Sequence, residues 1–138
     1  MNGVLTYVVH GDPAPQGSKR AFRNKHTGTI QQKESSARVE PWRQDVRQAI
    51  EDRTPAWWTV LDGPIGMSIA FAFDRPQGHY RTGRNAHLLR DGAPRYPAGR
   101  KDDLDKLVRS TIDAVQSTGR IFADDGQVVQ LDALKAYT

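Results

Sequence analysis

The residues best equipped for chemistry lie in one stretch, Arg100-Lys101-Asp102-Asp103-Leu104-Asp105-Lys106-Leu107-Val108-Arg109, and a second acidic stretch follows it, Asp124-Asp125-Gly126-Gln127-Val128-Val129. Carboxylate oxygens are the donors that hard divalent cations such as Mg²⁺ take, usually alongside retained waters. Side chains at positions 103 and 105 would diverge by about 160° if both were helical, whereas in extended backbone they point the same way. Asp-Leu-Asp therefore has to straddle a junction, with Asp103 on the incoming chain and Asp105 in the first helical turn, for both to reach one cation near the positive end of the helix dipole. Arg109 stands one turn beyond Asp105, where it can pair with that carboxylate or reach a phosphate.

Each piece also has a plainer reading. Asp-x-Asp is frequent by chance, a carboxylate before a helix serves as a cap, and Asp-Asp-Gly makes an ordinary turn with no metal. Their conjunction, beside a basic block, favours a site.

The charge distribution points to a polyanion. Residues 75–101 carry seven basic side chains (Arg75, Arg81, Arg84, Arg90, Arg95, Arg100, Lys101) against Asp91 alone, while residues 102–138 carry four against seven acidic ones. Cations grip phosphates by counterion release, and neighbouring carboxylates can hold a metal against the same backbone. Lys19, Arg20, Arg100, Lys101 and Lys106 are the candidate DNA contacts. Cysteine is absent, which excludes disulfides, thiolate zinc sites and cysteine nucleophiles. No apolar run is long enough to span a membrane and no signal peptide is visible, so a cytoplasmic protein is expected.

The elements that must position these residues follow from periodicity. At 138 residues a single domain over 1–138 is expected, small enough that dimerisation would help cover its surface. Residues 4–10 alternate and read as a first strand. The basic stretch 11–36, with Pro13-Ala14-Pro15-Gln16-Gly17-Ser18, reads as a long loop. Residues 41–53 read as a helix with Trp42, Val46, Ala49 and Ile50 on one face, and Trp57 and Trp58 are expected to pack beside its end. Residues 64–73 alternate strictly: Ile65, Met67, Ile69, Phe71 and Phe73 on one face, Gly66, Ser68, Ala70 and Ala72 on the other. The second face is small enough for a partner subunit to approach.

Residues 75–99 are punctuated by Gly and Pro and read as a loop that orders on nucleic acid, extending to about residue 100. Residues 103–117 form the second helix, with Asp105, Arg109 and Asp113 opposite its apolar stripe, and residues 127–134 form a last strand. The class is α+β, a small mixed β-sheet with two helices in the order β-α-β-α-β.

With those elements in place, the chain resembles the RusA-like Holliday-junction resolvases of phages and prophages. The likeness rests on Asp103-Leu104-Asp105-Lys106-Leu107-Val108-Arg109, Asp113-Ala114-Val115, Asp124-Asp125-Gly126-Gln127-Val128-Val129 and the loop from Pro13 to Arg20. It implies a dimeric RusA-like fold in which Asp103, Asp105 and Asp125 bind the catalytic metal, Asp124 supports them and Arg109 acts through its charge. Arg109 stands where the family usually has Lys and cannot donate a proton at neutral pH. Lys106 stands where Asn is common. The implied activity is an Mg²⁺-dependent endodeoxyribonuclease, with Mn²⁺ able to substitute, that nicks opposed strands of a four-way DNA junction as a homodimer in the bacterial host cell. Three other readings are weaker. A metal-dependent glycosyltransferase needs a longer chain, and a calcium loop needs a different spacing. A non-catalytic basic DNA-binding protein would use the aspartates only as cap and turn.

Overall fold

A computed structural model describes residues 3–17, 25–28, 37–99 and 102–138, and the backbone of residues 19–23 and 30–34. In chain order the elements are β1 (Lys19–Arg23), β2 (Ile30–Glu34), α1 (Val39–Arg53), β3 (Ile65–Phe73), α2 (Leu104–Thr118) and β4 (Val128–Tyr137). β1 and β2 form an antiparallel hairpin; β3 and β4 pair in parallel, with α2 in the crossover between them. The expected α+β class holds, and both expected helices are present. No helix among the described residues is long and apolar enough to cross a membrane.

Two expectations change. The stretch 11–36 contains the β1–β2 hairpin rather than continuous loop. Its strands lack apolar alternation, so their ladder leaves no period in the sequence. Residues 4–10 form no strand. Their alternation is real, since Leu5, Tyr7 and Val9 pack against the core while Val4 and Val8 are exposed. The segment leans on α1 through side chains, as in the 2.6 Å bond between the Tyr7 and Thr54 hydroxyls, with no backbone ladder to make it a strand.

The core forms where the two helices meet the sheet. α1 contributes Trp42, Val46 and Ile50, α2 contributes Leu107, Val108 and Ala114, and Phe71, Ile121 and Phe122 complete it. Fully buried side chains such as Leu107 and Phe122 each contribute on the order of 1.5–3 kcal/mol. The helices are also tied by one buried polar contact, Trp42 Nε1 donating to Thr111 Oγ1 at 3.0 Å. Trp58 is half-buried, but Trp57 is 77% exposed, contrary to the packing expected of it. It lies in the connection beyond α1, where the nearest ring is Trp58 at 6.1 Å.

Gly119 ends α2 in the left-handed conformation at φ 64°, which glycine adopts without a Cβ clash. The chain then passes through buried Ile121 and Phe122 into the acidic turn that opens β4. On β3, Gly66, Ser68, Ala70 and Ala72 are all exposed, so the small-residue face lies bare.

Candidate active site

Three segments converge on α2. Ala14 is fully buried, and its carbonyl accepts from Ser110 Oγ at 2.7 Å; Gln16 N–H donates to the Lys106 carbonyl at 3.1 Å. The Pro-rich loop is therefore fastened along the first half of α2, and the β1–β2 hairpin springs from beside it. Arg38 reinforces the arrangement by donating to the Pro13 carbonyl at 3.0 Å and pairing with Asp102 at 3.3 Å.

Asp103 occupies the N-cap position of α2 in extended conformation (φ −61°, ψ 129°), and Asp105 lies in the first turn. The expected straddle is thus realised in the backbone. Asp103 makes no side-chain cap bond; its carboxylate lies 3.7 Å from Lys106 Nζ. Lys135 Nζ, near the end of β4, donates to the Asp102 carbonyl at 2.8 Å and holds the helix start over that end of the strand.

One face of α2 presents Asp105, Arg109 and Asp113, at successive intervals of four residues, to an open groove of about 700 Å³ against β4. Leu104, Val108, Ile112, Val129 and Leu131 supply its apolar lining, and Asp125 stands in the same groove. Residues four apart on a helix ordinarily meet, so Asp105 and Arg109 would be expected to pair. They do not, and neither has an ion pair with any described residue. Asp113, by contrast, lies 4.0 Å from Arg43 of α1.

The acidic turn is built by glutamines. Gln127 Oε1 accepts from the N–H groups of Ala123 and Asp124 at 3.0 and 3.1 Å, while its Nε2 donates to the carbonyls of Leu61 and Gly63, both at 3.0 Å. Gln116, in the last turn of α2, accepts from Asp125 N–H at 3.3 Å. Asp124 caps the turn by accepting from Gly126 N–H at 3.1 Å, and that bond holds its carboxyl below the usual carboxylate range. The Asp125 carboxyl is pushed up, chiefly because it is hydrogen-bonded to Asp124 and also by the negative charges of Asp124 and Asp113. The two adjacent carboxyls are thus shifted in opposite directions, Asp124 favouring its charged form and Asp125 its neutral one.

Carboxylate-bearing segments thus lie at both ends of α2, Asp103 and Asp105 at its start and Asp124 and Asp125 beyond its end. The family described as Endodeoxyribonuclease RusA matches residues 10–138. The chain belongs to the RusA endodeoxyribonuclease family. Among curated proteins, none is similar enough to stand as a relative. Membership makes the chain an endodeoxyribonuclease of the junction-resolving kind, and it covers every acidic residue discussed above.

For a RusA protein, the placement of the expected site residues is uneven. Asp105, Arg109 and Asp125 share the groove; Asp103 lies at its helix-start end beside Lys106, and Asp124 holds the turn. Asp105 and Asp113 are separated by eight residues, about 12 Å of helix rise, and Asp125 lies at the Asp113 end. Accordingly, no three Asp, Glu or His side chains among the described residues gather closely enough to hold one metal ion. The donor type suits Mg²⁺, but the donors of one chain do not close around it. Among the expected DNA contacts, Lys106 lies at the helix start, the backbone of Lys19 and Arg20 lies in β1, and the side chains of those two, with Arg100 and Lys101, lie outside the described residues. Asp113, Gln116 and Arg38 were not singled out as site residues by spacing. Two of the missed residues carried a signal that could have marked them: Asp113, on the helix face of Asp105 and Arg109, and Gln127, inside the Asp-Asp-Gly-Gln run.

Proposed function

We propose that this RusA-family protein resolves four-way DNA junctions by paired nicks in opposed strands, as a homodimer dependent on Mg²⁺, with Mn²⁺ able to replace it, in the cytoplasm of its host cell. The observation that carries this reading is the pair Asp105 and Arg109: one helical turn apart, in one groove, and both without an ion-pair partner among the described residues. Opposite charges left apart at that spacing suit a site that receives a cation at one and a phosphate at the other. Asp103, Asp105 and Asp125 are the carboxylates assigned to the metal, and Asp124 keeps Asp125 in place through their shared turn.

Asp103, Asp105 and Asp125 would hold a divalent ion, which would supply an activated water and offset charge at phosphorus. The protein's own residues do the rest. Arg109 offers the scissile phosphate a cation that stays protonated at any working pH. Lys106, Lys19, Arg20, Arg100 and Lys101 are assigned to flanking phosphates, contacts that position DNA without reading its sequence. The alternative, a basic DNA-binding protein without chemistry, predicts binding alone.

The test is incubation with a labelled four-way junction and a matched linear duplex, with Mg²⁺ or EDTA, beside the Asp105→Asn protein. Paired nicks on the junction only, lost with EDTA and in the variant, are expected. Junction binding with no cleavage under any metal would reject the reading in favour of the binding protein.

A further inference from the structure

The segment 75–99 carries five arginines against Asp91 alone, and it is folded where a charged run would ordinarily be a solvated loop. Arg81 N–H donates to the Leu88 carbonyl and Arg90 N–H to the His79 carbonyl, both at 2.8 Å, on either side of the Tyr80–Leu89 bridge. The same two arginines reach across the bridge with their side chains. Arg90 Nε donates to the Tyr80 carbonyl at 2.8 Å and Arg81 Nε to the Leu89 carbonyl at 3.2 Å. Each guanidinium is thus fixed through Nε, and its Nη nitrogens are left over. Those of Arg90 have no partner among the described residues. Arg81 adds only the fully exposed Asp91, at 3.3 Å, a pair that water and salt screen.

The two arginines line a cleft of about 440 Å³ with Gln77, Tyr80, Thr82 and Gly83, and no acidic side chain contributes to its wall. The cleft also has a fixed place in the fold. Arg75 donates to the Thr138 carbonyl, Tyr137 N–H donates to the Arg95 carbonyl at 3.0 Å, and Thr138 N–H donates to the Phe73 carbonyl at 2.9 Å. The segment is therefore mounted on the C-terminal ends of β3 and β4. Lys135 fastens the start of α2 to that same end of β4, so the cleft and the carboxylates Asp103 and Asp105 are mounted on one end of the sheet.

We propose that Arg81 and Arg90 form a ready-made cradle for the phosphodiester backbone of a DNA arm that flanks the nicking site. A guanidinium presents its N–H donors in a planar fork that matches phosphate oxygens, and fixing it beforehand removes part of the ordering cost of binding. Thr82 and Gln77 supply neutral donors of the kind that commonly contact the same backbone. Contacts of this type hold an arm in register without reading its sequence. The inference rests on the nuclease reading for its DNA substrate and not for its metal chemistry.

The test is made in EDTA, where nothing is cleaved. Binding of a labelled four-way junction is followed by anisotropy over a range of salt, for wild type and for the protein carrying both Arg81→Gln and Arg90→Gln. Affinity should fall on the order of tenfold, and the slope of log affinity against log salt should become shallower by about one for each phosphate released. Thermal melts and proteolysis within residues 75–99 report whether the variant keeps its fold; affinity and slope equal to wild type in a folded variant would overturn the proposal. A second measurement needs no substitution and decides the matter if the variant unfolds. Phenylglyoxal modifies free guanidiniums, and mass spectrometry of wild-type peptides follows each arginine. Saturating junction should slow the modification of Arg81 and Arg90 several-fold, while inorganic phosphate at the same phosphate concentration should not. Unchanged modification with DNA bound, or equal protection by inorganic phosphate, would remove the cradle. Because neither arm reads cleavage, the two readings fail separately: protected arginines without nicking under any metal would sink the nuclease and keep the cradle, and normal nicking with both arginines unprotected would do the reverse.

Discussion

Gln127 Nε2 donates to the carbonyl of Leu61 at 3.0 Å across 66 residues of chain, while its Oε1 accepts from the backbone of Ala123 and Asp124. One side chain thereby fixes the acidic turn to the segment that leads into β3. Gln127→Ala should lower stability by about 1–2 kcal/mol, the cost of leaving several backbone groups without their partner. Junction cleavage should fall at least tenfold, in kcat more than in KM, because Asp125 loses its placement while the DNA contacts remain. Gln127→Glu keeps the acceptor and loses the donor, so it should fall between. Unchanged kcat in both proteins would show that the turn holds itself.

Ser110 is fully buried and donates to the Ala14 carbonyl at 2.7 Å. Ser110→Ala leaves that carbonyl unpaired beside α2, a loss of about 1–3 kcal/mol. Denaturant unfolding measures it. Proteolysis should show cutting near residues 13–17 rise at the same time, since the loop is tied to α2 there.

The carboxyls of Asp124 and Asp125 give the turn two opposed pH dependences. Asp125 holds its proton above the ordinary carboxylate range, so its contribution to stability is present at low pH and is lost as pH rises through its titration. Asp124 is shifted the other way, so its contribution is present above the ordinary range and is lost on acidification. Asp125→Asn removes repulsion with Asp124 and Asp113 at neutral pH. Thermal melts should find that variant no less stable than wild type at pH 7, with any advantage shrinking as pH falls to about 3, near and below the usual carboxylate value. Cleavage should nevertheless be lost. A variant much less stable at pH 7 would mean that Asp125 serves the fold rather than the site.

The arginine-rich segment 75–99 is braced by its own side chains. Arg75 donates to the carbonyls of Thr138 and Pro94, both at 2.8 Å, and lies 5.4 Å from the Tyr137 ring; Arg90 donates to the Tyr80 carbonyl at 2.8 Å. Tyr80 and Leu89 form a short antiparallel bridge within it. These bonds are made between the protein's own groups, so limited proteolysis of the free protein should spare the segment, and Arg75→Ala should expose it. Added junction should then change the wild-type pattern little. Strong protection by DNA would instead support a segment that orders on binding.

Local signals carried much of this protein into view. α1 and α2 were legible because a 3.6-residue period records which side of a helix is buried, as Trp42, Val46 and Ile50 show. β3 was legible because Ile65 to Phe73 alternate. Asp103, Asp105 and Asp125 stood out by residue type and spacing, and the family match bears out the resemblance those motifs carried. Pairing was a different matter. The β1–β2 hairpin bears no apolar alternation, and residues 4–10 alternate without finding a ladder, because a strand is defined by a neighbour that no local pattern names. The separation of Asp105 from Asp125 was likewise hidden. Spacing along the chain placed Asp103 and Asp105 at one helix start, but only the parallel crossover, running α2 back along β4, sent Asp125 to the far end of that strand. Residue chemistry is local and can be read in order; the distance between two carboxylates is set by how the segments between them pack.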